Sequence, residues 1–392
     1  MKDIESYIQM EEPASGRLFP YIRMGRQMSG KTYRVHPDDT RSYYTQGLKT
    51  RRNWRTLQKR GRNHMGREYV EELKTRVLSG GAEITYDEAL KLAHEDLDTL
   101  AASANEIREH FCGDRCDVCS VISVKEGRCT ENCRYCAQSR IAKKDIPEIN
   151  MLGDAAITEG ADVDYGKGSF RYCLVAEGRR LSKREVELAE KTVKDIHDNV
   201  DINICASFGL LDREDFTKLK NAGLTMIHNN LETSPAYFPE VCTSHTQEQK
   251  KATIRAAKAA GLMVCSGSLF GMGESLEDRV ALAFELRELG VDSVPMNLLN
   301  PREGTPFYDK TPLTEEEYVR TIAVYRFVMP KVMIRLAAGR GRYDDNGEAA
   351  LAAGANAVIS GDFLTTDGTS FDLDFDMIRR NGFVTDRVHL TE

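Results

Sequence analysis

The chain has 392 residues, of which 41% are hydrophobic and 29% are charged, and its formal net charge at pH 7 is -7. This length and composition are typical of a globular protein with one large core or two modest ones. The acidic balance argues against a nucleic-acid or acidic-membrane partner and favours a small-molecule substrate, because polyanions are repelled by such a surface.

The sequence also predicts the compartment. It contains no run of about 18 apolar residues and no N-terminal signal-peptide core, so we expect neither a membrane span nor export. A cytoplasmic, reducing environment follows from this expectation. In that environment the ten cysteines are expected to serve metal or catalytic chemistry rather than disulfides.

The N-terminal segment differs from the rest because it is basic, with 14 Lys and Arg against 6 Asp and Glu over residues 1–64. It has no sustained apolar periodicity, so we predict a disordered extension, with a nucleic-acid arm as the alternative. Met65 is an alternative start of the chain. The folded region is predicted over residues 65–392. It begins with a helical cap: a helix over Arg67–Val77 and another that opens at the capping box of Thr85 and Glu88.

Beyond about residue 116, short β-branched segments alternate with helical stretches, a pattern of repeated βα units around a parallel sheet. Eight such units close into a (βα)8 barrel of the TIM type, the predicted α/β fold, with its active site at the carboxyl ends of the strands. An open doubly wound sheet is the alternative, but the dinucleotide-binding glycine spacing is missing, and Gly271–Glu274 is interpreted as a strand-to-helix turn. The predicted strands are Val118–Ser123, Arg171–Ala176, Ile202–Phe208, Thr225–Asn230, Met263–Leu269, Ser293–Leu299, Val332–Ala338 and Asn356–Ser360. Helices predicted between them include Lys183–Asp198, Gln247–Ala260, Leu276–Leu289 and Glu315–Val328.

Three cysteines, Cys129, Cys133 and Cys136, stand close together shortly after the first predicted strand. Each thiolate can bind one iron of a [4Fe–4S] cubane, and the missing fourth ligand leaves one iron open to a small molecule. A structural zinc site is the alternative, although zinc in such sites takes four protein ligands in paired spacing.

The spacing Cys-x3-Cys-x2-Cys, with Tyr135 just before the last cysteine, resembles the radical S-adenosylmethionine superfamily. The resemblance implies that the open iron binds the amino and carboxylate groups of S-adenosylmethionine and that Tyr135 lies near the adenine. Reductive cleavage would then yield methionine and a 5′-deoxyadenosyl radical, which abstracts hydrogen from an unactivated C–H bond.

Further cysteines fall on predicted strands. Cys173 lies on the second strand, Cys205 on the third and Cys265 on the fifth, while Arg335 lies on the seventh. Side chains of different strands converge inside a barrel, so these residues could hold a second metal cluster. Cysteines that pack as small hydrophobic residues are the alternative.

With these residues, the chain from about residue 66 onward resembles the biotin synthase family. The resemblance rests on Gly127–Ser139, His228–Ser234, Val264–Gly267, Ser293–Asn297 and Ile334–Arg340. It implies that three cysteines and one arginine hold an auxiliary [2Fe–2S] or larger iron–sulfur cluster, which donates sulfur to dethiobiotin to form biotin. A homodimer and an electron donor such as flavodoxin or ferredoxin are also implied. The family's auxiliary ligands match Cys173, Cys205, Cys265 and Arg335; a guanidinium is an unusual ligand, so its assignment depends on the resemblance.

The resemblance also assigns polar residues to the site. Asn230 and Asn297 match positions that recognise the ureido ring of dethiobiotin and neighbouring cofactor groups, and they join the Cys129 triplet as predicted catalytic residues. Glu232 matches a position that holds the ribose hydroxyls of S-adenosylmethionine, and Lys250 one that meets its carboxylate. The alternatives are asparagines that cap strand ends and a lysine on a solvated helix face.

Several residues depart from this pattern. Cys112, Cys116 and Cys119 repeat the Cys-x3-Cys-x2-Cys spacing, and they are either extra thiols near a modified auxiliary cluster or packing cysteines. Cys242 is predicted to be unused, and His228 is a candidate substrate contact at a strand end. Two other functions stay open: a radical enzyme of the same barrel type, such as a hydrogenase-cluster maturase, and a non-catalytic iron–sulfur or zinc protein that binds nucleic acid.

Overall fold

The computed structural model describes residues 64–127, 129–143, 146, 148–151, 154–363 and 366–385. All of them lie in one compact unit, Gly61–Glu392. The extension predicted for residues 1–64 therefore falls, apart from His64, outside the described residues. In the described part of the chain, no helix is both long and apolar enough to cross a membrane.

Three helices precede the first strand: α1 (His64–Leu78), α2 (Tyr86–Leu92) and α3 (Leu97–Cys112). The predicted capping box is present, because the Thr85 side chain accepts from the Glu88 amide while the Glu88 carboxylate accepts from the Thr85 amide. Glu88 also pairs with Arg76 of α1, which ties the first two helices together. The helical cap predicted from the sequence is confirmed.

Nine strands form one parallel sheet in the order β5-β4-β3-β2-β1-β9-β8-β7-β6, with β5 also paired to β7. Since β5 and β6 are two halves of one strand, the sheet is a closed barrel of eight parallel strands, and the predicted fold class is confirmed. The strands are β1 (Asp117–Lys125), β2 (Arg171–Ala176), β3 (Asn203–Ser207), β4 (Leu224–His228), β5 (Met263–Cys265), β6 (Ser268–Phe270), β7 (Ser293–Leu298), β8 (Met333–Leu336) and β9 (Ala357–Ile359).

The fifth barrel strand differs from the prediction of one continuous segment. It breaks between Cys265 and Ser268, where Gly267 lies so close to the Pro295 carbonyl oxygen of β7 that a side-chain carbon would collide with it. The Gly267 amide donates to Asn230 Oδ1 at 3.0 Å instead of to a neighbouring strand. A glycine is required because the backbones approach closely at this point.

Helices connect the strands on the outside of the barrel. Four of them begin at capping boxes, each of which satisfies backbone amides at the helix start and contributes about 1 kcal/mol. These four match their predicted bounds to within one residue. The helices are α4 (Asp154–Gly166), α5 (Lys183–Asn199), α6 (Arg213–Asn221), α7 (Phe238–Val241), α8 (Gln247–Ala259), α9 (Leu276–Leu289), α10 (Glu315–Val328), α11 (Glu348–Leu351) and α12 (Phe371–Arg380).

A C-terminal segment closes the structure after β9. An antiparallel hairpin, β10 (Gly361–Phe363) and β11 (Thr366–Thr369), leads into α12. The buried Arg340 guanidinium pairs with Asp374 of α12 at 2.7 Å and donates to Thr369 Oγ1 at 2.6 Å. Burying a charge without a partner is costly, so this ion pair holds the last helix against the barrel.

Candidate active site

The triplet Cys129, Cys133 and Cys136 lies on the loop that follows β1, and all three side chains are half-buried. The loop folds back on itself: the Cys129 amide donates to the Gln138 carbonyl at 3.0 Å, and the Cys136 amide donates to the Cys133 carbonyl at 3.3 Å. The three thiols therefore occupy one tight loop, and each is a free cysteine.

Burial favours the neutral form of these thiols. It raises the pKa of Cys136 to about 11 and also raises that of Cys129. The Glu131 amide points at Cys129 Sγ, 3.5 Å away, and is positioned to stabilise a negatively charged sulfur there. Metal binding deprotonates thiols, so three free thiols on a loop with an amide aimed at sulfur fit a cluster that takes three cysteine ligands.

A buried carboxylate lies beside the triplet. Glu232 is buried, follows β4 and has a φ of 71°, a backbone conformation that is costly for a residue other than glycine. Tyr135 donates its hydroxyl to Glu232 Oε1 at 3.0 Å, and Lys250 Nζ lies 3.8 Å from the same oxygen. Burial raises the pKa of Glu232. The structure thus brings together three of the four residues predicted to bind S-adenosylmethionine; the fourth, Asn230, lies two positions before Glu232.

Lys250 does not lie on a solvated helix face. Its side chain is 13% exposed, and its ammonium also reaches Asn229 Oδ1 at 3.4 Å. The lysine is therefore directed from α8 towards the buried carboxylate at the end of β4.

The two predicted catalytic asparagines form hydrogen bonds with the backbone of the fifth barrel strand. Asn297 donates to the Ser268 carbonyl at 2.9 Å and accepts from the Ala338 amide at 3.3 Å, while Asn230 accepts from Gly267. These bonds agree with the alternative that the asparagines secure strand ends. Both side chains are nevertheless half-exposed at the rim of the barrel, so their predicted contact with dethiobiotin stays a prediction.

Inside the barrel, Cys173, Cys205 and Cys265 are buried in one cluster with Cys119 and Met226. The strand register explains this grouping, because Cys173 lies opposite Cys205 and Cys205 lies opposite Met226. Cys173 donates to Cys205, which raises the pKa of Cys173 and lowers that of Cys205. Burial raises the pKa of Cys265 to about 12.

Arg335 lies beside these thiols and forms an ion pair with Asp117. It is buried, and its guanidinium bonds Asp117 Oδ1 at 2.5 Å and the Val358 carbonyl at 3.0 Å. A second buried guanidinium, that of Arg171, lies 3.5 Å from the same carboxylate. Burial opposes ionisation of Asp117, but the two arginines lower its pKa. The two guanidinium groups act against burial on the neighbouring thiols, since nearby positive charge stabilises an anionic sulfur, and this environment fits ligands of an iron–sulfur cluster.

The carboxylate in this arrangement is a residue that the sequence analysis missed. Asp117 precedes Cys119 by two positions on β1, so both side chains point to the same face of the strand. That alternation is the signal that could have identified Asp117, because it places the acid and the thiol together in the barrel interior.

The second triplet is not gathered on one loop. Cys119 faces the barrel thiols, whereas Cys116 belongs to the hydrophobic core outside the barrel. Cys112 ends α3 with its sulfur 3.4 Å from Arg326 Nη1. Cys119 thus agrees with the interpretation as an extra thiol near the auxiliary site, and Cys116 agrees with the interpretation as a packing cysteine.

His228 contacts a thiol of the interior. Its Nδ1 lies 3.4 Å from Cys265 Sγ, and burial lowers its pKa to about 4, so the imidazole is neutral at pH 7. The nitrogen can donate to sulfur or accept from it, depending on the tautomer. The structure places His228 against the predicted auxiliary ligands; its contact with substrate stays a prediction.

Cys242, which the sequence analysis leaves without a role, lies next to the Cys129 triplet. The ligating atoms of Cys133, Cys242 and His245 are all within 4.8 Å of one another. The interaction between the two thiols raises the pKa of Cys133 and lowers that of Cys242. Sequence spacing alone could not reveal this contact, since Cys133 and Cys242 are far apart along the chain.

Two family models match the chain. The model of the radical SAM superfamily matches residues 125–286, and that of the biotin and thiamin synthesis associated domain matches residues 295–384. The first match contains the Cys129 loop and the three barrel thiols, and the second contains Arg335.

Curated relatives are similar over most of the chain. A protein named biotin synthase from Brachyspira hyodysenteriae is 45% identical and covers 80% of this chain and 94% of its own length. One from Clostridium botulinum (strain Langeland) is 47% identical, with 80% of this chain and 98% of its own length covered. A third, from Akkermansia muciniphila, is 43% identical over the same share of this chain.

Solved structures share the fold at low sequence identity. A methylornithine synthase has a TM-score of 0.69 and 20% identity, covering 80% of this chain and 97% of its own. A maturase of the FeFe-hydrogenase from Carboxydothermus hydrogenoformans has a TM-score of 0.69 and 17% identity, covering 88% of this chain and 84% of its own. These likenesses support the barrel architecture alone.

Proposed function

The chain belongs to the biotin synthase family, and we propose that it inserts sulfur into dethiobiotin to form biotin by radical chemistry. The observation that carries the proposal is the buried group of Cys173, Cys205 and Cys265 inside the barrel whose rim bears the Cys129 triplet. These thiols offer a second ligand set inside the barrel, where a cluster could supply the sulfur.

The residues at the rim would bind and orient S-adenosylmethionine. Cys129, Cys133 and Cys136 would hold a [4Fe–4S] cluster, and Lys250 would neutralise the carboxylate of S-adenosylmethionine. Glu232 would accept hydrogen bonds from the ribose hydroxyls, since an ionised carboxylate is a strong acceptor for two donors. Its hydrogen bond from Tyr135 sets the position of the aromatic ring that would flank the adenine.

The residues inside the barrel would hold the sulfur source. Cys173, Cys205, Cys265 and Arg335 would ligate an auxiliary [2Fe–2S] or larger cluster, and Cys119 is close enough to join a larger one. Asp117 would keep the Arg335 guanidinium in place. When bound, the two clusters supply the electron that cleaves S-adenosylmethionine and the sulfide that enters the product.

Substrate would lie between these two sets of residues. Asn230 and Asn297 each offer a donor and an acceptor, which is what the ureido ring of dethiobiotin requires. The surrounding barrel would keep water and oxygen away from the substrate radical. Family resemblance further supports a homodimer, a flavodoxin or ferredoxin as electron donor and a cytoplasmic location.

The test is the reaction itself. The full chain, reconstituted with iron and sulfide under strict anaerobiosis, is expected to convert S-adenosylmethionine, a reductant and dethiobiotin into 5′-deoxyadenosine and biotin. Both products are measured by mass spectrometry. Absence of deoxyadenosine would contradict the radical chemistry, whereas deoxyadenosine without biotin would contradict only the proposed substrate and sulfur transfer.

A further inference from the structure

A second set of potential metal ligands lies beside the Cys129 triplet and shares Cys133 with it. Cys133, Cys242 and His245 bring two thiols and one imidazole within 4.8 Å of one another, with Cys242 and His245 buried. Of all the described residues, these are the only three His, Cys, Asp or Glu donors gathered so closely. The triplet Cys129, Cys133 and Cys136 is more widely spaced, as expected where each thiol serves a different iron of a cubane.

The geometry suits a single ion. Cys242 Sγ lies 3.3 Å from His245 Nδ1. A tetrahedral zinc ion with Zn–S of about 2.3 Å and Zn–N of about 2.0 Å separates its sulfur and nitrogen ligands by about 3.5 Å. Little movement is therefore needed to seat an ion between them.

A fourth donor is available on the cluster loop. Glu131 Oε2 lies 2.6 Å from His245 Nδ1, and both side chains are buried. The Arg179 guanidinium, 3.7 Å from the same oxygen, offsets the negative charge that two thiolates and a carboxylate would bring. Ser244 donates to this oxygen at 2.7 Å and keeps the carboxylate near the imidazole. To ligate the same ion, the Glu131 oxygen must move away from His245 Nδ1 to about 3.3 Å, the separation of two such ligands in a tetrahedral site.

The two segments that carry these donors are fixed to each other. Asn132 Oδ1 accepts from the amides of Thr243 and Ser244, both at 3.0 Å. The Arg134 amide donates to the Val241 carbonyl at 2.9 Å. These bonds surround Cys133 on both sides in the sequence, so its thiol is held against the segment that bears Cys242 and His245.

We propose that Cys133, Cys242, His245 and Glu131 bind one divalent ion of the zinc and ferrous class when the radical cluster is absent. Two thiolates with an imidazole and a carboxylate are borderline-soft donors that suit such ions. Binding displaces the protons of the two thiols, and the imidazole gives up the Nδ1 proton that it donates to Glu131 and takes the Nε2–H form, so that Nδ1 is free to ligate. Because Cys133 is shared, the ion and the cluster exclude each other; this consequence rests on the proposed cluster, whereas binding of the ion does not.

The first test is metal binding by the cluster-free full chain. Cobalt(II) is added without oxygen, and thiolate-to-cobalt absorption and bound metal are measured. We expect Cys242→Ala and Cys242→Ser to lose one equivalent of tightly bound cobalt relative to the parent, and His245→Ala to do the same. Cys112→Ala, which removes a thiol far from the site, should bind as the parent does. Equal cobalt binding by the parent and both Cys242 variants would overturn the proposal.

Folding is checked by thermal unfolding, because Cys242 and His245 are buried. The two Cys242 variants differ in polarity, so a loss of cobalt shared by two folded variants reports the missing ligand rather than a packing defect.

The second test measures competition with the cluster. One equivalent of Zn²⁺ is added to the cluster-free chain before iron and sulfide, and the iron taken up is quantified. Zinc should lower iron uptake by the parent by up to the iron of the Cys129 cluster, since the interior thiols stay available, and it should leave uptake by Cys242→Ala close to its value without zinc. Equal inhibition of both would mean that zinc binds the Cys129 triplet itself and would contradict the proposal. A failed biotin assay, by contrast, would leave the cobalt measurement unchanged, because binding of the ion does not depend on the cluster.

Discussion

Cys136→Ala is expected to lower the rate of 5′-deoxyadenosine formation by more than about 100-fold, because loss of an outer-shell partner alone costs 10–100-fold and Cys136 is a proposed ligand. Its thiol lies in the tight turn formed by the Cys136 and Ser139 amides and has no part in the Cys242 site. The measurement is deoxyadenosine produced with excess reductant and S-adenosylmethionine, together with the iron content of the protein.

Cys112→Ala is the matched control for this variant. It also removes one half-buried thiol, but that thiol lies at the end of α3 against Arg326. We expect parental deoxyadenosine formation from it. If Cys136→Ala kept the parental rate, the assignment of the Cys129 triplet to the radical cluster would be wrong.

Cys205→Ala is expected to abolish sulfur insertion while it leaves cleavage of S-adenosylmethionine intact. The hydrogen bond from Cys173 lowers the pKa of Cys205 against the effect of burial, and Arg171 and Arg335 lower it further. Its thiol lies between Cys173 and Met226 in the buried cluster, so it is a central member of the proposed ligand set. Removing it should cut biotin formation by more than about 100-fold, while deoxyadenosine still forms at the rim.

The control for Cys205→Ala is Met226→Leu. Met226 packs in the same buried cluster and lies opposite Cys205 on the next strand, and leucine conserves its volume. This variant should keep both products, which distinguishes loss of a ligand from disturbed packing. Parental biotin formation by Cys205→Ala would contradict the auxiliary site, and loss of both products would show that the two sites are not separable.

Local sequence signals account for most of the fold. The capping residues Ser275 and Thr314 define where α9 and α10 begin, and both helices have their predicted bounds. The break in the fifth strand could not be predicted in this way. It depends on the contact of Gly267 with the Pro295 carbonyl, a tertiary approach that leaves no periodic signal in either segment.

The candidate site likewise contains residues that local sequence signals predict and contacts that depend on the tertiary structure. Cys129, Cys133 and Cys136 are recognisable because three ligands on one loop must be close in sequence as well as in space. The convergence of the barrel thiols is predictable from their places on the second, third and fifth strands. The Arg335–Asp117 ion pair and the contact of Cys133 with Cys242 join distant parts of the chain, so only the closed barrel reveals them.

We expect the sulfur atom of biotin to come from the interior site of the barrel. The most direct measurement is the isotope content of biotin formed in a single turnover by protein reconstituted with heavy-isotope sulfide and then freed of excess sulfide. Sulfur transfer from the interior site should yield biotin that carries the heavy isotope even when ordinary sulfide is present in the medium. Biotin that carries only the sulfur of the medium, or no biotin at all, would contradict it.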